Sequence, residues 1–311
     1  MSSLFSSFLG VFVYILIGYI LKKINIISNK IENITNVISF NILLPVALIT
    51  NFWLITFPNI FITKLLISFF GAGILIFIIA YLIGKNFFQF KIDESVIYGL
   101  GACFGNSVAF GIPLMFSILG KINSIPYMIL VLFHGIIHFT YATLIIEGYR
   151  NKKYSYIKKI INIIIGLLKN IVLVGMFLGL TLNYFNIPFI KPIQNIFIPI
   201  SNIALPLVLI SMGISLGGFK KDSSLSYILI LTVLKNLIYP LIAYIFAKYI
   251  FMLSPLLIFT VTLAAALPSG TQTYYFSYRY NALKNIISTN ILVSTFVSFF
   301  TLSSLMFLFG Y

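Results

Sequence analysis

Residues Asn41–Thr50 read NILLPVALIT, and Asn202–Ser211 read NIALPLVLIS. Six of the ten positions are identical, and Thr50 answers to Ser211 with the hydroxyl kept. Each copy puts an asparagine and a proline inside an apolar stretch of membrane length, although both residues disturb a helix surrounded by lipid. The copies lie 161 positions apart (202 minus 41). How many membrane crossings separate them decides the fold.

Of the 311 residues, 60% are hydrophobic and 8% charged, with a mean hydropathy of +1.10. A soluble domain carries about 25% charged residues, so the chain reads as an all-α integral membrane protein. A crossing needs about 20 mainly apolar residues. That ruler places spans over 4–21, 31–53, 61–84, 95–119, 125–148, 167–185, 193–217, 224–248, 255–277 and 285–309, ten in all. The first is an uncleaved span and not a signal peptide, because no basic residue precedes it and Lys22 and Lys23 follow it. A lone Cys103 excludes a disulfide framework and a Cys-based metal site, and HExxH, P-loop and GxGxxG motifs are absent. No metal, cofactor or catalytic activity is expected.

Cytoplasmic loops retain lysine and arginine. With the N-terminus outside, fifteen of the 20 basic residues fall on the inner side. Lys64, Lys121, Lys191 and Lys248 fall outside, and Lys235 lies within a span. Both termini are therefore expected to face outward. The net charge of +15 reports this topology and attraction to anionic inner-leaflet lipid, not a nucleic-acid partner. The longest inner connection, residues 149–168, contains YSYIKKIINIIIGLL and reads as a basic amphipathic stretch on the membrane surface. It joins 1–148 to 169–311. The abundance of Ile, Asn, Lys and Phe fits an AT-rich bacterial genome, and hence the bacterial inner (plasma) membrane.

The two copies fall in the second and seventh spans. The offset is five spans (7 minus 2), an odd number, so the second copy crosses in the opposite direction. The result is two five-helix repeats related by an axis in the membrane plane, as in many secondary transporters. The same shift pairs the fourth span, with GNSVAFGIP at Gly105–Pro113, and the ninth, with AAALPSGTQT at Ala264–Thr273. Pro113 and Pro268 are 155 positions apart (268 minus 113). Both segments read as discontinuous helices, with the fourth-span break at Gly111–Pro113 and the ninth at Leu267–Gly270. Interrupted segments at matching positions of two halves point to a transport site. The plainer alternative is that each proline only kinks a packed helix.

The five acids, Glu32, Asp93, Glu94, Glu147 and Asp222, all fall near inner span ends or in inner loops. No carboxylate is left at mid-membrane for a cation or a proton relay. An anion wants the reverse: N–H groups at half-helix N-termini and neutral donors. The candidate substrate-binding residues are therefore Asn106, Ser107, Gly111, Ile112 and Pro113 with Leu267, Pro268, Ser269 and Gly270. Asn106 is expected to donate to a substrate carboxylate, its other open role being to cap the broken helix, while Gly111 and Gly270 let backbone approach closely. His134 and His138, four apart, fit hydrogen-bonded packing or proton coupling. Lys235, an intramembrane charge, is either functional or snorkels to the inner surface. Trp53 reads as an interfacial anchor.

The asparagine and LLP of the second span, the GNSVAFGIPL of Gly105–Leu114, and the LPSG followed by YRYN at Tyr278–Asn281 resemble the auxin efflux carrier family of permeases. LKN at Leu168–Asn170 resembles that family's entry to the sixth span, with Ile171 where a proline usually follows. The resemblance implies a ten-helix fold similar to sodium/proton antiporters and bile-acid symporters. Broken fourth and ninth spans cross in a transport domain built from spans 3–5 and 8–10. Spans 1, 2, 6 and 7 form a scaffold that often dimerises. It also implies that the cargo is a small organic anion, a mono- or dicarboxylate, moved by alternating access. Asn41 and Asn202 then face the substrate from the scaffold side or bond between helices. The other reading is a sodium-coupled organic-anion symporter of the bile-acid type.

Overall fold

The computed structural model of the chain describes residues 2–54, 62–150, 171–218 and 225–310. The amphipathic connection beyond Arg150, the LKN of Leu168–Asn170, and Asp222 lie outside the described residues. Among those described, the chain is helical without a strand. The helices are α1 (Ser2–Lys23), α2 (Asn29–Trp53), α3 (Ile62–Phe87), α4 (Ile92–Cys103), α5 (Ser107–Asn123), α6 (Ile125–Arg150), α7 (Ile171–Tyr184), α8 (Lys191–Gly218), α9 (Leu225–Ile250), α10 (Pro255–Ala266), α11 (Thr271–Tyr280) and α12 (Lys284–Phe309).

Six of these, α2, α3, α6, α8, α9 and α12, are long and apolar enough to cross a membrane. Shorter apolar helices include α5 and α10. Helices occupy each expected segment, the fourth and the ninth as two helices apiece.

The prolines explain part of this pattern. A proline removes a backbone donor, and its ring presses on the carbonyl four residues back. In α2 a wide π-turn over Ser39–Leu43, closed by the Leu44 N–H bonding to the Ser39 carbonyl, comes two residues before Pro45. The helix therefore runs through NILLPVALIT unbroken. The same arrangement recurs twice: a π-turn over Ser107–Gly111 precedes Pro113, and one over Leu234–Ile238 precedes Pro240. Such turns re-register the ladder so that the proline falls where a bond is already displaced. Pro199 and Pro206 sit inside α8 without one.

The chain divides into two compact units. Unit 1 comprises Met1–Asn59, Ile112–Ile125 and Ile164–Gly218, and unit 2 comprises Ile60–Gly111, Pro126–Ile163 and Phe219–Tyr311. In unit 1, α1 and α8 cross at Gly18 and Gly213. A Cβ on either would stand 2.0 Å from a carbonyl oxygen of the other helix, Ile210 or Ile15 respectively. Small residues at such a crossing let two backbones touch, which is how apolar helices gain packing where lipid removes the hydrophobic drive between them. Asn36 of α2 clasps α8, donating to Ser215 Oγ at 3.0 Å and accepting from Ser211 Oγ at 2.6 Å. Trp53 is buried and is not a lipid-interface anchor. Its indole N–H donates to the Ile187 carbonyl at 2.7 Å, and its ring lies 4.8 Å from that of Phe189. Asn41 and Asn202 are both exposed on unit 1.

Unit 2 packs α3 against α4, and α9 against α10 and α12. At one end Phe88, Phe90, Tyr98 and Tyr227 form an edge-on aromatic cluster, with the Tyr98 hydroxyl donating to the Tyr227 carbonyl at 2.7 Å.

Candidate functional site

Two interruptions meet inside unit 2. After α4 the chain turns extended at Phe104 (φ −84, ψ 107), and after α10 at Leu267 (φ −56, ψ 148). The extended pieces run antiparallel, with Gly105 opposite Ser269. Asn106 N–H donates to the Pro268 carbonyl at 2.8 Å, and Gly270 N–H donates to the Phe104 carbonyl at 2.8 Å. Each break thus satisfies backbone groups that the other leaves open. Without that exchange, four polar groups would lie unpaired in an apolar interior.

The fourth-span break therefore falls at Phe104–Asn106 and not at Gly111–Pro113. Gly111 closes the π-turn over Ser107–Gly111, and Ile112 and Pro113 begin the regular part of α5. The wide turn starts on Asn106, whose carbonyl accepts from the N–H groups of Phe110 at 3.3 Å and Gly111 at 3.0 Å. Ile112 and Pro113 fall in unit 1, outside the unit that holds the two breaks. The Ser107 carbonyl accepts from the Tyr127 hydroxyl at 2.6 Å. Gly111 makes room for that phenol, since a Cβ there would stand 1.8 Å from the oxygen. Gly270 does the same for Phe104, where a Cβ would lie 2.6 Å from the ring and 2.8 Å from the Gly105 carbonyl oxygen.

Asn106, Ser107, Leu267 and Ser269 are all buried. The Ser269 hydroxyl is committed to structure: it donates to the Gly101 carbonyl at 2.8 Å and accepts from Asn290 Nδ2 at 2.7 Å. Ser269 N–H donates to Ser294 Oγ at 3.0 Å. Thr232 of α9 donates to Asn290 Oδ1 at 3.0 Å, and Asn236 Nδ2 to the Ser294 carbonyl at 3.3 Å. The ninth-span break is thus bolted to α9 and α12 by a polar ladder that sequence reading missed. Asn290, an amide in an apolar span, carried the same signal that drew attention to Asn41.

Lys235 does not snorkel. It is fully buried on the π-turn of α9, and its Nζ donates to the Ala265 carbonyl at 2.6 Å, at the end of α10. His134 and His138 sit against the first residue of the other break, with the His134 ring 4.3 Å from Phe104 and the two imidazoles 4.6 Å apart. His138 Nδ1 donates to the His134 carbonyl at 2.9 Å, and Phe70 packs 5.5 Å from His138. Among the described residues, no group of three His, Cys, Asp or Glu side chains could hold a metal ion. Away from the breaks, Arg150 of α6 pairs with Asp93 of α4 and donates to the Tyr280 carbonyl of α11 at 2.8 Å.

A family model described as "Membrane transport protein" matches residues 3–306. The chain belongs to that family of membrane transporters. It is the auxin efflux carrier family that the second-, fourth- and ninth-span motifs resemble. Among curated proteins, the chain is similar to one from Rhizobium meliloti (strain 1021) named "Putative malonate transporter". The two are 22% identical over 242 residues, covering 76% of this chain and 74% of that protein. A multi-pass membrane protein with transport as its role accounts for both the family and the apolar helices.

Proposed function

We propose that the protein is a secondary permease that moves a small organic anion, a mono- or dicarboxylate, across the plasma membrane by alternating access. The observation that carries this reading is the mutual bridge of the two breaks in unit 2. From it, α5 and α11 start with their N-terminal, positive ends at Ser107 and Thr271. The described acids lie elsewhere: Asp93 on Arg150, Glu94 bonded to the Lys91 N–H, Glu147 near Tyr280, and Glu32 on Lys22. Half-helix N-termini with no competing carboxylate favour an anion.

In this reading Asn106 and the opening turns of α5 and α11 receive the carboxylate, while Gly111 and Gly270 make room for Tyr127 and Phe104. Unit 2 is the carrying unit and unit 1 the scaffold, through which two copies pair. The ten spans form two inverted five-helix repeats with both termini outside. Malonate in the name of the Rhizobium protein makes a short dicarboxylate the first cargo to try. Counterflow into proteoliposomes with a panel of mono- and dicarboxylates, with and without sodium or a pH gradient, tests the reading. Exchange of at least one carboxylate is expected. Exchange of none of them overturns it, and strict sodium dependence replaces it with the symporter of the bile-acid type.

A further inference from the structure

Lys235 is buried completely, yet no acid pairs with it among the described residues. Taking an ammonium out of water is costly unless a counter-charge and hydrogen bonds replace the solvent. Here the replacement is partial. One of its three donors goes to the Ala265 carbonyl, and the Tyr239 ring lies 4.9 Å away. The titratable groups facing it from neighbouring helices are Cys103 of α4 and His134 and His138 of α6, none of them an acid. The lysine also lies beside both breaks. Ala265 is two residues before Leu267, and a Cβ on Gly105 would stand 3.6 Å from Nζ. Lys235 and Asn236 lie on the π-turn that precedes Pro240, a device that re-aims side chains and clusters at functional sites.

The geometry points to Lys235 as the counter-charge of the transported anion: a carboxylate entering at the paired breaks takes the donors that Ala265 leaves open. This rests on the anion-site reading above and adds the residue that sets its charge preference. A lysine that only caps the carbonyl end of α10 is the competing role, and the two differ in what removal does. Neutralising a cap costs stability and leaves affinity alone, whereas neutralising an uncompensated buried charge spares or raises stability and removes affinity.

The test uses the full chain, with radiolabelled malonate as the probe, in counterflow and in thermal unfolding with and without malonate. Lys235→Met and Lys235→Gln are expected to raise the malonate KM by roughly thirtyfold or more, the loss of one charge-assisted contact. They are also expected to abolish the malonate-dependent rise in Tm. Without malonate their Tm stays within about 3 °C of the parent or rises. Lys235→Arg keeps the charge on a bulkier, forked head in direct contact with the carboxylate and is expected to raise KM several-fold, by less than roughly tenfold. Neutral variants with a parental KM overturn the assignment while leaving the anion-site reading intact. If neither neutral variant folds, Lys235→Arg decides: a KM raised several-fold supports the assignment and an unchanged KM overturns it. A parent that exchanges no carboxylate overturns both, and is recognised because the unmutated protein is itself silent.

Discussion

Pro113 and Pro268 occupy matching places in the pattern of the sequence and opposite situations in the fold. Pro113 sits just inside a continuous helical stretch, two residues past a π-turn, as Pro45 and Pro240 do. Pro268 sits in extended backbone, and its carbonyl holds the other break by accepting from Asn106. A proline alone does not open a helix here: wide turns precede Pro45, Pro113 and Pro240, and α8 carries Pro199 and Pro206 without one. What opens both helices is a second chain segment, itself opened, that takes up the orphaned N–H and C=O groups. Glycine then marks where the two backbones press together, while proline marks only that a ladder bond is missing.

The largest effect is expected where that pairing is attacked. Gly270→Ala drives a methyl into the Phe104 ring and the Gly105 carbonyl. It should cost about 1–3 kcal/mol or more from overpacking and reduce transport at least about tenfold, read by Tm and by counterflow. Asn106→Ala keeps the backbone bridge and removes only the amide, so expression should hold while uptake is abolished. Kinetics matching the parent would leave Asn106 as a backbone cap and no ligand. The double variant His134→Gln/His138→Gln loosens the packing on Phe104, at about 1–2 kcal/mol. Its transport should follow the parent's pH profile, and a shifted profile would restore proton coupling.

Smaller still is the tie between Asp93 and Arg150. Burial pushes the Asp93 carboxyl up, but the Arg150 hydrogen bond and charge and the Glu94 N–H together hold it below the ordinary carboxylate value. A lowered folded-state value adds stability that is complete at neutral pH and is lost as pH falls through that value, below about pH 4. Because Arg150 is partly exposed, the contribution should stay under about 1 kcal/mol. Asp93→Asn should then flatten the acid side of the Tm-versus-pH curve. Least of all, Pro45→Ala restores one donor to a helix already continuous, and Tm should move by the equivalent of about 1 kcal/mol or less. A large loss there would mean that Pro45 shapes unit 1 more than its wide turn indicates.

Hydropathy alone located the helices, because a membrane-length apolar run leaves the backbone no choice but to bond within itself. The existence of both breaks was legible too, from glycine, proline and hydroxyls at mid-span. The fourth-span break was placed several residues too late because Pro113 was read as its cause. Wide turns leave no compositional trace, so the absorption of Pro45, Pro113 and Pro240 could not be foreseen. Tyr127, Asn290 and Ser294 escaped notice because their partners, Ser107 and Ser269, are near only after folding. The exposure of Asn41 and Asn202 likewise depends on which face α2 and α8 turn toward their own unit.

The mutual bridge also bears on how the chain is made. The Phe104 carbonyl and Asn106 N–H emerge from the ribosome long before the residues that complete them, Pro268 and Gly270, which lie some 160 positions later. At about 5–20 residues per second, the first half waits on the order of ten to thirty seconds with its deepest backbone groups unpaired. The crossing therefore cannot close until Pro268 and Gly270 have been made, and a chain truncated after its first half has no way to finish it.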